Sequence, residues 1–266
     1  MAPYASSRGR RAAPSVVHRL DPRVKIVGTV AYMASCLLVR GPATCALAAA
    51  CALAAIALAR IPRRQLARQM RPLAVFVAVT ALVNLLAADG GAVVASWGPW
   101  AIREGGVEAA AMYTVRFLLL LLGGAVLVLT TAPSALAAGL EDLLSPLERL
   151  GVPVGRAALV VSIALRFVPA LARDAEAVVS AQTARGADFE GKGPLAYARA
   201  CIPLAVPLFA SALRRADALG RAIDARGYTG TGPRTRFREL RFHARRDGTA
   251  ALLVAAYLVA FAALSL

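Results

Sequence analysis

Nearly uncharged apolar runs at residues 24–39, 43–59, 73–88 and 107–130 alternate with short polar stretches through the first half of the chain, and a fifth run occupies 249–266. Each approaches or reaches the roughly 17–25 apolar residues that cross a bilayer as a helix. The pattern therefore predicts an all-α, polytopic membrane protein with about five transmembrane helices. Between residues 132 and 248 the pattern changes. Shorter apolar runs alternate there with charge clusters, as expected of interfacial or protein-packed helices rather than spans. The expected organisation is an N-terminal segment with four spans (1–130), a helical region at the membrane surface (131–248) and a last span (249–266).

Within the middle region, Pro133 and Ser134 open a helix that Gly151-Val152-Pro153 ends. An apolar stretch follows at 157–171. Another, 201–213, contains Pro203 and Pro207, which remove backbone donors and are expected to kink it. Residues 171–185 read as a helix with Leu171, Ala175, Val178 and Val179 on one face and Arg173, Asp174, Glu176 and Ser180 mostly on another. Residues 209–226 repeat the design. Phe209, Leu213, Ala216, Gly220 and Ile223 recur at spacings of three and four, and Arg214, Asp217, Arg221 and Asp224 make a stripe of alternating charge.

Composition supports this reading. Hydrophobic residues make up 59% of the chain and aromatics only 6%, so the apolar mass is Ala, Leu and Val, suited to close-packed helices rather than to a barrel with aromatic girdles. The net charge of +16 would suggest nucleic acid in a soluble protein. Here it is explained by orientation, and no nucleic-acid partner is expected. Arg8, Arg10, Arg11, Arg19, Arg23 and Lys25 cluster around the start of the first run, and Arg60, Arg63, Arg64, Arg68 and Arg71 follow the second. The loops expected on the other side hold Arg40 and Arg103. The positive-inside rule then puts the N-terminus and the middle region in the cytoplasm and the C-terminus outside. Arg10-Arg11 has the look of a twin-arginine export signal, but the apolar run starts too far downstream and no small-residue cleavage site ends it, so the first span is expected to be retained. Cys36, Cys45, Cys51 and Cys201 lie in apolar stretches without a CxxC pair, and the only histidines are His18 and His243. Neither a disulfide framework, a metal centre nor a cofactor is predicted.

Both charged helices stop in the same tripeptide, Ala184-Arg185-Gly186 and Ala225-Arg226-Gly227. Glycine ends helices because it readily adopts the left-handed conformation, and the dipole favours a cation near the last turn, so each site alone reads as a helix cap. Two matching sites suggest more. A guanidinium fork on a narrow helix tip can enter a cleft and pair with a carboxylate bidentately, as lysine cannot. Two tips suggest two equivalent clefts.

With these tips in view, the chain resembles the transmembrane T component family of energy-coupling factor transporters, which includes membrane subunits of cobalt and nickel uptake systems. The resemblance covers most of the chain. It rests on His18-Arg19-Leu20-Asp21-Pro22-Arg23-Val24-Lys25, on Thr130-Thr131-Ala132-Pro133-Ser134 leading to Gly151-Val152-Pro153, on Leu165-Arg166-Phe167-Val168-Pro169, and on the two Ala-Arg-Gly sites. It implies a non-catalytic subunit whose two coupling helices dock, through Arg185 and Arg226, in grooves on two ABC-type ATPases. It also implies a small membrane-embedded S component as a partner, which topples as ATP is consumed, and uptake of a vitamin or of cobalt or nickel. Leu171, Val178, Phe209, Leu213 and Ile223 are the candidates for the surface that grips the S component.

Other features have local explanations. Asp21-Pro22 reads as N-cap and first helical residue of the first span. Arg116, inside the fourth run, has no acidic partner on its own helix face and is expected to contact another helix or backbone carbonyls. Asn84 reads as interhelical glue. Gly186 to Lys192 matches a phosphate-binding loop up to its lysine, but Gly193 stands where Ser or Thr should bind magnesium, and two carboxylates intervene. ATP hydrolysis is thus expected of partners. The alternative is a self-contained secondary transporter or channel, for which a path of ionisable residues inside the spans is the expected mark. A membrane-embedded enzyme lacks a nucleophile–base set or paired carboxylates at the membrane boundary.

Overall fold

The computed structural model describes residues 15, 17–39, 41–87, 90, 92–97, 100–187, 194–228 and 243–265 of the 266. Among them, eight α-helices form: α1 (Pro22–Leu37), α2 (Pro42–Ala59), α3 (Arg63–Ala87), α4 (Glu104–Thr130), α5 (Pro133–Leu144), α6 (Val154–Ala184), α7 (Pro194–Asp224) and α8 (Ala244–Ser265). Short 3-10 turns lie at Val17–Arg19 and Ser145–Leu150. A small antiparallel ribbon of β1 (Val93–Trp97) and β2 (Trp100–Arg103) joins α3 to α4. The helical pattern did not foretell the ribbon, although two β-branched and aromatic runs around Gly98-Pro99 are a hairpin signal. Two compact units result: Met1–Leu143 with Leu240–Leu266, and Leu144–Glu239.

In the first unit, Asp21 caps α1 as the sequence suggests, its carboxylate accepting from the Arg23 N–H at 2.8 Å with Pro22 in the first turn. Small residues let helices approach closely. Tyr32 and Cys36 of α1 pack on Ala48 and Ala52 of α2 and Leu119 of α4, with Tyr257 of α8 against them. The hydroxyls in this layer are satisfied: Tyr32 Oη donates to the Ala48 carbonyl at 3.2 Å, and Ser35 Oγ lies 2.7 Å from Tyr257 Oη. The opposite faces are greasy and open. Val75, Leu252 and Val259 are about 70% exposed, an arrangement made for lipid.

Five described helices are long and apolar enough to cross a membrane: α2, α3, α4, α6 and α8. The number agrees with the sequence pattern, but the set does not. At 16 residues, α1 falls outside that set by its length. Conversely, α6 qualifies because 157–171 and 171–185 are one continuous 31-residue helix running through Pro169. Likewise α7 runs unbroken through Pro203 and Pro207, so the expected helix 209–226 is only its second half.

Two further expectations are corrected or sharpened. Among the described residues, Asn84 is seen to bond within its own helix rather than across to another, its amide donating to the Thr80 carbonyl at 2.8 Å. Arg116 reaches a backbone carbonyl, as expected, donating to that of Val39 just past the end of α1 while its guanidinium lies 5.2 Å from the Tyr113 ring centroid.

The start of α1 is tied at several points. Asp247, 2% exposed at the start of α8, accepts from the backbone N–H groups of Asp21 at 2.9 Å and His243 at 2.7 Å. Buried Lys25 donates to the His18 and Thr130 carbonyls at 3.3 and 3.4 Å, joining α1 to the end of α4. Arg23 forms an ion pair with Asp142 of α5, and Gly139 of α5 leaves room for Pro22, since a Cβ there would meet it at 3.0 Å.

Candidate functional site

The two Ala-Arg-Gly sites are the same structure built twice. At the end of α6, the Gly186 N–H donates to the Thr183 carbonyl at 2.9 Å and the Ala187 N–H to the Gln182 carbonyl at 2.9 Å. At the end of α7, the Gly227 N–H donates to Asp224 at 2.9 Å and the Tyr228 N–H to Ile223 at 3.3 Å. This pair of bonds is the Schellman motif, which satisfies carbonyls the helix end leaves unpaired and requires the next residue to turn left-handed. Gly186 and Gly227 do so, at φ of 88° and 69°. Alanine, arginine and glycine therefore occupy matching positions at both ends, each arginine on the cap itself.

Ala184, Arg185 and Gly186 are exposed, as are Ala225, Arg226 and Gly227. The Schellman turn is not confined to these two ends, because Gly151 closes the 3-10 turn at Ser145–Leu150 with the same two bonds, from Gly151 to Glu148 and from Val152 to Leu147, but with leucine on the cap. The arginine is what sets the other two apart.

Sequence reasoning missed how the two helices are joined. One terminal guanidinium nitrogen of Arg215 on α7 lies 2.7 Å from both carboxylate oxygens of Asp174 on α6, and Ser211 Oγ donates to the same carboxylate at 3.0 Å. Ser211 and Arg215 stand one helical turn apart and bracket it. Eleven residues separate Asp174 from Arg185, and eleven separate Arg215 from Arg226. Each tip is thus about 16 Å beyond the contact along its own helix. Neither arm contains proline; Pro169, Pro203 and Pro207 all lie on the other side of the contact. The only advance signal was the charge pattern, which placed Asp174 on a polar face without naming its partner.

The candidate coupling residues divide. Phe209 and Leu213 are 70% and 56% exposed, and Ile202 and Val206, at 66% and 74%, extend them into one apolar stripe with spacings of four, three and four along α7. Leu171, Val178 and Ile223 are half-buried. The resemblance to a phosphate loop falls largely outside the described residues, which stop at Ala187 and resume at Pro194; what is described places Gly186 after a helix rather than a strand.

A multi-pass helical membrane protein whose second unit presents two identical arginine-capped helix ends is the class these features define. Residues 13–237 match the model of the cobalt transport protein family, CbiQ. A relative from Limosilactobacillus fermentum named energy-coupling factor transporter transmembrane protein EcfT is 39% identical over 90% of this chain and 89% of its own length. A protein of the same name from Heliobacterium modesticaldum is 42% identical over 85% of each chain. The chain belongs to this family of transmembrane components of energy-coupling factor transporters. A Bifidobacterium longum protein named for an ABC transporter ATP-binding role is 40% identical over 98% of this chain, which matches only 33% of that protein.

Proposed function

We propose that this chain is the non-catalytic coupling subunit of an ABC-type importer, transmitting ATP-driven motion from two ATPase subunits to a small membrane-embedded S component that binds the substrate. The observation that carries this reading is the repetition of one exposed Schellman tip, with arginine on the cap, at the ends of both α6 and α7. Two like clefts on two like ATPases would each receive one guanidinium, paired with a carboxylate as arginine's planar donors permit. The relative in which a region like this chain makes up a third of a protein named for ATP binding supports such a partnership. The open apolar stripe of Ile202, Val206, Phe209 and Leu213 is the surface proposed to hold the S component, together with the half-buried Leu171, Val178 and Ile223. The chain sits in the cytoplasmic membrane with its N-terminus in the cytoplasm, a reading supported by the exposed arginines 60, 63, 64, 68 and 71 at the α2–α3 corner. The cargo is a vitamin or a transition-metal ion such as cobalt or nickel, which the S component would select.

The test is co-purification of the tagged chain in detergent, with mass spectrometry of its companions. Wild type is expected to bring down ATPases and a small membrane protein. Arg185→Ala and Arg226→Ala are each expected to weaken ATPase capture by about thirtyfold or more, as for loss of one partner of a desolvated charge pair. The double variant should lose the ATPases altogether. A wild-type chain that purifies alone and moves solute in liposomes without ATPases would refute the reading.

A further inference from the structure

The contact between α6 and α7 includes a polar, directional clasp. Asp174 is only 22% exposed and Arg215 40%, so both groups have given up much of their water and hold each other instead. Three hydrogen bonds converge on one carboxylate, and both donors come from positions i and i+4 of α7. A carboxylate held between two donors one turn apart cannot slide along α7 in either direction without breaking a bond, whereas packed alkyl groups tolerate such a shift. Polar contacts between helices set register in some proteins, and the geometry of this one is suited to it. The equal eleven-residue arms follow from that register.

We propose that the Asp174–Ser211–Arg215 clasp is the pivot of the coupling apparatus, a positioning site that fixes the separation of the Arg185 and Arg226 tips so that both seat in their partners together. The inference rests on the coupling function proposed above and adds to it the element on which the two arms turn. Geometry makes the pivot matter: with arms about 16 Å long, a rotation of roughly 10° at the clasp displaces a tip by about 3 Å, as much as a hydrogen-bond length. Such an offset would leave one tip docked and the other out of reach. The proline-free arms carry a displacement of one tip to the clasp without an intervening hinge.

The experiment has two readouts. In the isolated full-length chain in lipid nanodiscs, spin labels on a non-natural ketone amino acid at exposed Ala181 and Ala222 report the distribution of tip-to-tip distances. In the complex co-purified with the chain and reconstituted in liposomes, uptake per ATP hydrolysed reports coupling. Asp174→Asn and Arg215→Gln are expected to broaden the distance distribution and to lower uptake per ATP by at least about fivefold, the lower end of usual coupling energies, while ATPases still co-purify. The milder Ser211→Ala, which keeps the ion pair, should give an intermediate broadening. Exchanging the charges, Asp174→Arg with Arg215→Asp, should restore both readouts toward wild type. Unchanged distances in the single variants, or a lower melting temperature with normal uptake per ATP, would overturn the pivot. Failure of the docking reading is separable, since Arg185→Ala/Arg226→Ala would then retain its ATPases while the tip-to-tip distances still decide the role of the clasp.

Discussion

The Asp247 carboxylate accepts a hydrogen bond at 2.9 Å from the backbone N–H of Asp21, so the last described helix is tied to the cap of the first. Asp21 thereby serves twice: its side chain starts α1 and its own N–H is held by α8. Asp247 also accepts from the His243 N–H and is one of the two carboxylates that act electrostatically on Lys25. Removing it leaves buried donors and an ammonium short of partners. Asp247→Ala is expected to cost about 3 kcal/mol, seen as a drop of several degrees in melting temperature in detergent. Thr249→Ala, at an exposed site two residues on, should stay close to wild type.

Gly123 and Gly124 make a matched pair. A Cβ at Gly123 would lie 2.7 Å from Cδ1 of the Tyr32 ring, while one at Gly124 meets nothing within 4 Å. Gly123→Ala should push α4 from α1 and destabilise by about 1–3 kcal/mol. Gly124→Ala should be neutral or slightly stabilising, because alanine is the better helix former. Equal melting temperatures for the two variants would contradict the close approach of Tyr32.

Arg60 ends α2 at φ 52°, the one non-glycine residue with positive φ among those described. Its N–H donates to Ala57 and that of Ile61 to Ile56, the same turn that glycine serves at both tips. Arg60→Gly is expected to stabilise by up to about 1 kcal/mol, and the β-branched Arg60→Val to destabilise by at least as much. Thermal unfolding of the two variants, compared in the same detergent, checks the opposite signs.

His18 supplies a pH dependence whose sign can be worked out. Its pKa is lowered from 6.5, first by burial and then by the positive charge of Lys25, and Ser15 Oγ lies 2.7 Å from its Nδ1. The unfolded chain therefore takes up the proton more readily than the folded one, so stability is fully present above about 6.5 and falls as pH drops from there toward the lower folded value. His18 is largely exposed, which makes the effect small. Melting temperature measured from pH 7.5 down to 5 should fall less steeply in His18→Gln than in wild type.

What could be read from the chain alone was whatever is encoded locally. Apolar run length marked most of the spans, Asp21-Pro22 marked the start of α1, and glycine after arginine marked both tips, because a left-handed turn favours glycine wherever the helix is placed. The family resemblance came from the same local motifs and was confirmed by the match over residues 13–237. Continuity through Pro169, Pro203 and Pro207 could not be read this way: proline lowers local helix propensity, and only the surrounding contacts decide whether the helix bends or stops. Asn84 is a related case, since its amide bonds the Thr80 carbonyl one turn back on its own helix, a choice between local and distant partners that the sequence leaves open. Which partner Asp174 or Asp247 holds was decided only by tertiary structure. Their hydrogen bonds join residues 41 and 226 positions apart, and no pattern within a single helix specifies which distant donor will face a carboxylate once the helices are packed.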